Sequence, residues 1–213
     1  MRSFSPYVTH ILPFAVFALL TILPGFAHIS QNLAYPLKTV VVGGMLAFFW
    51  PSISEEIKVQ WDWLAVIAGG LVFVLWVGLE GYYPQLGSPK TISPWSMSGP
   101  LSPEVFIGFR ILGASLVVPI MEELFWRSFA LRFVIDSKII SVKLGTFTWF
   151  SFILVSLAFG FEHHRWLPGI LAGMAYAALL YRTRNLFSPI LAHAVTNFLL
   201  GIYVLGTDQW QYM

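Results

Sequence analysis

The feature that most limits what this chain can become is its recurring apolar runs, long enough for helices and nearly free of charge. Seven such stretches can be marked: roughly Ile11 to Phe26, Leu37 to Trp50, Trp63 to Leu79, Val105 to Phe133, Thr146 to Phe161, Leu167 to Tyr181 and Pro189 to Leu205. The 213 residues are 57% hydrophobic and only 10% charged, with a mean hydropathy of +0.75, which excludes an ordinary soluble domain. Backbone polar groups inside a bilayer must be satisfied within the segment, so apolar runs of this length predict an all-α fold. The expected architecture is a polytopic transmembrane helix bundle of about seven spans, forming a single integral membrane domain over residues 1–213.

The first stretch contains Pro13 and Pro24, lacks a clear small-residue cleavage site and is followed by further spans, so it reads as a span and not a cleaved signal. There is no cysteine, which removes disulfides, thiolate metal sites and cysteine nucleophiles together. A net charge of +2 without a long basic run gives no sign of nucleic-acid binding. With the N-terminus inside, Arg2, Lys58, Arg132, Lys138, Lys143, Arg182 and Arg184 fall on inner connections, against Lys38, Lys90 and Arg165 on outer ones. Seven against three favours N-in and C-out. The second stretch is short and carries Lys38, so the parity of this assignment depends on it.

Between Glu80 and Pro103 five prolines with several Gly and Ser exclude a membrane helix and predict an exposed connector, with Tyr82, Tyr83 and Trp95 suited to a membrane–water interface. In the sixth stretch Gly169, Gly173 and Ala177 recur every four residues, a smooth stripe on which the fifth or seventh helix can approach closely.

Against this background the stretch from Pro119 to Arg132 is costly. Each ionised side chain in a bilayer core costs at least about 2.5 kcal/mol on insertion scales, and Glu122, Glu123 and Arg127 fall within six residues. Glu123 and Arg127 stand four apart in the order that favours an ion pair along one helix face. Glu122 points about 100° away and is left to face a cavity. Pro119 removes a backbone donor one turn earlier and places Glu122 near a freed turn. Two further groups join it: Phe159 with His163, and His193 with Asn197, each pair four residues apart on one face. A single intramembrane histidine usually serves helix association. Three polar groups in separate apolar helices argue for a common cavity.

Glu162, His164 and Arg165 sit where the fifth helix meets a Trp-Leu-Pro-Gly turn and read as interface residues; Arg110 is expected to snorkel or to meet Glu104 or Glu80. From Glu122 to a turn near Ser137 is about 22 Å of helix, and His193 begins about two turns past Arg184, so the site is expected to open toward the inside.

Glu-Glu-x-x-x-Arg at 122, 123 and 127, Phe-x-x-x-His at 159 and 163, and His-x-x-x-Asn at 193 and 197 resemble, in order and spacing, the CAAX protease and bacteriocin-processing (CPBP, or Abi) family of intramembrane endopeptidases. The resemblance covers roughly residues 105–206, the expected motif-bearing catalytic core. Glu-Glu-Leu-Phe-Trp-Arg-Ser-Phe, Phe-Glu-His-His-Arg-Trp-Leu-Pro-Gly-Ile-Leu-Ala-Gly and His-Ala-Val-Thr-Asn-Phe-Leu-Leu-Gly look most like bacterial CAAX prenyl protease-related proteins associated with exosortase sorting systems. That narrower likeness implies a multi-pass protein of a bacterial inner membrane and argues against a prenylated CAAX substrate.

The resemblance implies that Glu122 with His163 activates water for attack on a peptide bond of a membrane-associated substrate, that His193 with Asn197 stabilises the oxyanion, and that Glu123, Arg127 and Phe159 support them. No metal or other cofactor is expected: there is no His-Glu-x-x-His run, Asn197 is a poor zinc ligand, and Arg127 disfavours a nearby cation. Two competing readings are a non-catalytic scaffold or immunity protein of the same fold, and a proton-coupled transporter, for which no inverted repeat is evident.

Overall fold

The computed structural model describes residues 4–22, 30–87 and 93–212, and within them every regular element is helical. In chain order the helices are α1 (Pro6–Ile22), α2 (Gln31–Ile53), α3 (Trp63–Gly78), α4 (Pro103–Ile135), α5 (Trp149–Phe161), α6 (Trp166–Thr183) and α7 (Phe187–Thr207). Arg2, Lys90 and the Pro24 end of the first stretch lie outside the described residues. The chain is a multi-pass helical membrane bundle. Asn32–Glu56, Pro103–Ile135 and Phe187–Thr207 are long and apolar enough to cross a membrane by length and composition, while Pro6–Ile22, Trp63–Gly78 and Trp149–Phe161 are shorter apolar helices.

Helix α2 is longer than its apolar stretch implied. Pro36 sits in the second turn, where it costs the helix only the bond to the Asn32 carbonyl, so Lys38 lies within the helix. Side chains cap the other starts: Asp62 accepts from Leu64 N, Ser102 from Val105 N and Thr148 from Ser151 N.

Loop contacts define two ends of the bundle. At one end Asn32 is hydrogen-bonded twice to Leu101, at 3.0 and 2.9 Å; His164 Nδ1 donates to Leu86 O at 2.6 Å; and Arg165 reaches Glu80 at 2.8 Å and Gln211 O at 2.7 Å. The connector after Glu80 is thus tied to the α5–α6 turn and to the chain's last turn, while Tyr82 and Trp95 remain exposed. At the other end Arg132 pairs with Glu56 at 2.8 Å, Leu186 N donates to Glu56 O at 2.9 Å, Arg182 pairs with Asp62, and Tyr7 donates to Ser137 O at 2.5 Å. This second end carries Lys58, Arg132, Lys138, Lys143, Arg182 and Arg184, the cations counted as inner.

The half of the bundle nearest those cations is packed solid by Val42, Leu46, Ile53, Met121, Leu124, Leu131, Val155, Ala177, Leu180, Leu186 and Ile190. The glycine stripe of α6 meets α5, one of the two neighbours expected: a Cβ at Gly169 would stand 3.0 Å from Gly160 Cα, and one at Gly173 3.2 Å from Ser156 Cα. This close approach brings Phe159 of α5 and Tyr176 of α6 into one cluster with Ala192 of α7.

Candidate active site

Helix α4 runs for 33 residues but is not uniform: π-helical turns at Gly113–Val117 and Leu124–Ala130 bracket an α-helical segment, Val118–Glu123, that carries Pro119 and both glutamates. The first π turn and the proline act together. The Val118 N–H is drawn to Gly113 O, and Pro119 has no N–H, so the Ala114 carbonyl has neither its i+4 nor its i+5 donor. Asn197 Nδ2 from α7 donates to that carbonyl at 2.8 Å. The sequence predicts a freed turn near Glu122; what is freed is an acceptor, and it anchors Asn197.

The two glutamates separate as their spacing predicts. Glu123 is fully buried and its Oε2 lies 3.0 Å from Arg127 Nε, itself 1% exposed. The guanidinium lies 4.1 Å from the Phe159 ring centroid and 5.3 Å from that of Tyr176, so two aromatic faces and one carboxylate surround a charge that water does not reach. Glu123 Oε1 also lies 2.8 Å from His193 Nδ1. A carboxylate accepts, so His193 Nδ1 carries a proton and Nε2 is left facing inward, 4.0 Å from Glu122 Oε2. Glu122 Oε2 is buried and has no hydrogen-bond partner in the protein.

His163 is set just beyond the end of α5. Its Nδ1 donates to Phe159 O at 2.8 Å, leaving Nε2 as the acceptor of a neutral ring, and the ring packs edge-on against Trp76. Tyr176 stacks on His193 with centroids 5.1 Å apart and donates to Thr196 Oγ1 at 2.8 Å, fixing the histidine's plane. Trp126 Nε1 donates to Glu162 at 3.1 Å.

Glu122, His163, His193 and Asn197 line one cavity of about 300 Å³, together with Phe159, Trp76, Tyr176, Thr196 and Tyr212. Glu123 and Arg127 stand behind it. Phe17, Tyr35, Lys38 and Arg110 also line it, and none of these four is singled out as a site residue by the motifs.

Two expectations are corrected here. Arg110 meets neither Glu104 nor Glu80 among the described residues: Glu80 pairs with Arg165, and Arg110 stacks over Tyr35 at 4.4 Å in the cavity wall. The cavity also does not open toward the inner cations. Beneath Glu122 and His193 lies the packed core around Met121 and Leu124, and the remaining lining residues rise toward the end carrying Asn32, Leu101 and Arg165. Helix distances from Ser137 and Arg184 gave the depth of the floor but not the side on which the core closes it.

Residues 104–199, a little under half of the chain, match a family model described as type II CAAX prenyl endopeptidase Rce1-like. The match spans all three motifs, resembles the CPBP assignment made from them, and supports an intramembrane endopeptidase. No curated protein and no solved structure is found to be similar to the chain.

Proposed function

We propose that the protein is an intramembrane endopeptidase that hydrolyses a peptide bond of a membrane-associated substrate with water activated by Glu122. The observation that carries this reading is the buried, unpartnered Oε2 of Glu122 facing the same cavity as His163, His193 and Asn197. Glu122 takes a proton from water as its oxygen attacks the carbonyl carbon, while His163 Nε2 accepts the water's second hydrogen bond. The carbonyl oxygen becomes an oxyanion. Asn197 holds one Nδ2 hydrogen on Ala114 O and presents the other; His193, when protonated, presents Nε2–H with the Glu123 carboxylate behind it. Collapse breaks the C–N bond, and the proton held by Glu122 passes to the departing amine. Water and peptide bond are consumed, and one carboxyl and one amine are formed.

The narrower placing, among exosortase-associated proteins of a bacterial inner membrane, rests on the sequence stretches that carry it. Peptides that accumulate in cells carrying Glu122→Gln would identify the substrates and test that link.

The direct test uses purified protein in liposomes with a library of N-acylated peptides read by mass spectrometry. Cleavage is expected, with Glu122→Gln lowering the rate by at least about 10²-fold and His193→Ala by about 10²–10³-fold. Normal cleavage by Glu122→Gln overturns the assignment. Proton flux without cleavage would indicate a transporter, and neither activity a scaffold. Stoichiometric zinc whose removal abolishes cleavage and whose return restores it would replace glutamate-activated water by metal chemistry.

A further inference from the structure

Lys38 and Arg110 are the two cations in the cavity wall whose charge the described structure does not neutralise. All ten acidic residues of the chain lie among the described residues, and none is within ion-pair distance of either cation. Glu56, Asp62, Glu80 and Glu123 have other cationic partners. Lys38 is only 8% exposed; its Nζ donates to Thr21 Oγ1 at 3.0 Å and lies 4.3 Å from the Phe17 ring and 4.7 Å from the Tyr35 ring. Arg110 lies 4.4 Å from that same Tyr35 ring, so two cations share one aromatic side chain. Tyr35 is held in turn by its hydroxyl on Arg110 O at 3.3 Å, and α2 and α4 approach closely at Gly113, where a Cβ would stand 3.1 Å from Tyr35 Oη.

An aromatic face offsets part of a buried cation's desolvation, by about 0.5–2 kcal/mol. Two like charges beside one ring repel, and an anion between them relieves the repulsion while keeping both side chains charged. The one carboxylate that lines the cavity, Glu122, is within ion-pair distance of neither cation and is required as the base. From this, and resting on the endopeptidase reading, we propose that Lys38, Tyr35 and Arg110 form an anion subsite that binds a carboxylate carried by the substrate peptide, a side-chain Asp or Glu or a chain end. Arg110 supplies a planar fork and Lys38 a point charge, the pairing suited to one carboxylate.

The subsite also sets a ruler. Arg110 and Glu122 are twelve residues apart on α4, about 18 Å along the helix. An extended peptide rises about 3.3 Å per residue, so the carboxylate lies within about five residues of the bond cleaved.

Binding is measured separately from cleavage, on the Glu122→Gln protein, with a defined probe pair: N-dodecanoyl-trileucine as the free acid and as the amide, followed by thermal stabilisation. The acid is expected to bind at least tenfold more tightly than the amide. Lys38→Met and Arg110→Gln should each bring the two within about threefold, while Arg110→Lys retains part of the preference and reports that the fold is intact. In the cleavage library, products from the wild-type protein should be enriched in an acidic residue or free end within five positions, and those from Arg110→Gln should not. Equal binding of acid and amide excludes the chain end, and the proposal is overturned if N-dodecanoyl-Leu-Glu-Leu amide is then bound no better than its Gln analogue, or if a preference survives both substitutions. Stabilisation by phosphatidylglycerol over phosphatidylcholine vesicles, dependent on Lys38 and Arg110 and with acid and amide alike, would assign the cations to a lipid phosphate instead. Loss of cleavage selectivity with acid binding retained would overturn the ruler. Acid-selective binding in a protein that never cleaves would sink the endopeptidase reading and leave the anion subsite standing.

Discussion

Replacing Glu123 by Gln tests whether the second glutamate serves the fold's charge balance, separately from the chemistry. The amide is nearly isosteric and its oxygen still accepts from His193 Nδ1, now 2.8 Å from Oε1, so the histidine's seat is largely preserved. What disappears is the charge 3.0 Å from Arg127 Nε, where neither partner is reached by water. Removing one member of a truly buried pair costs about 3–5 kcal/mol, because the other is left uncompensated. The Phe159 and Tyr176 faces are already in contact with the guanidinium, so they cannot supply a new offset. For a chain of this size 1 kcal/mol corresponds to roughly 2–4 °C, which places the Tm of Glu123→Gln about 6–20 °C below wild type in the same lipid. The diagnostic step is Arg127→Met in the Glu123→Gln background. Removing the orphaned charge while keeping much of the side chain's length should recover at least half of the loss. Thermal unfolding of wild type, Glu123→Gln, Arg127→Met and the double variant, with Glu122→Gln as a fifth protein expected within a few degrees of wild type, gives the cycle. A Glu123→Gln protein as stable as wild type, or a double variant no better than the single, would refute the separation of roles.

Close packing of α5 on α6 predicts a second contrast. A Cβ at Gly160 would stand 2.7 Å from Ile170 N and 2.8 Å from Trp166 O, backbone atoms that cannot swing aside, so Gly160→Ala should destabilise by about 1–3 kcal/mol. At Gly70 nothing lies within 4 Å, and Gly70→Ala should change stability by no more than about 1 kcal/mol; equal melting of the two variants would refute the packing argument. The charge count and the two ends of the bundle together predict that Lys138→Cys is labelled only from the inner side and Tyr82→Cys only from the other, the side toward which the cavity rises. The chain has no native cysteine to confuse the assay, and the reverse pattern would invert the protein in the membrane.

Local spacing proved legible wherever the partner lay on the same helix. The Glu123–Arg127 pair, the cavity-facing position of Glu122, the turn freed by Pro119 and the glycine stripe of α6 all follow from three- and four-residue periods. The link from Glu123 to His193 spans seventy residues, and no spacing rule connects them. Lys38 was legible only as a charge that shortens a span, because its neighbours Thr21, Phe17 and Arg110 come from other helices. For Arg110 the sequence offers snorkelling or a pairing with Glu104 or Glu80, but Glu80 is held by Arg165 from the α5–α6 turn. Cavity direction was illegible for a related reason. It is decided by which half of the bundle the large aliphatic residues fill, and apolar residues occur at both ends of every stretch.

The distribution of charge around α4 explains why one site uses two adjacent glutamates. A carboxylate that is to take a proton must face the cavity and have no fixed cation as its direct partner, which Glu122 satisfies with an unpartnered Oε2. The proposed oxyanion site needs a donor held at a fixed angle, and His193 is held by an acceptor on its far ring nitrogen. A single glutamate cannot do both, since the carboxylate that orients His193 sits at Nδ1, on the far side of the ring from the cavity that Nε2 faces. Adjacent positions differ by about 100° around a helix, so Glu122 and Glu123 present carboxylates to the two sides of one imidazole. Arg127 then follows as a consequence: Glu123, fully buried, requires a partner of its own, and the next turn of α4 supplies it at 3.0 Å. The π turns on either side belong to the same logic. The first frees the Ala114 carbonyl that seats Asn197, so both arms of the proposed oxyanion site, Asn197 and His193, are held from α4 while projecting from α7.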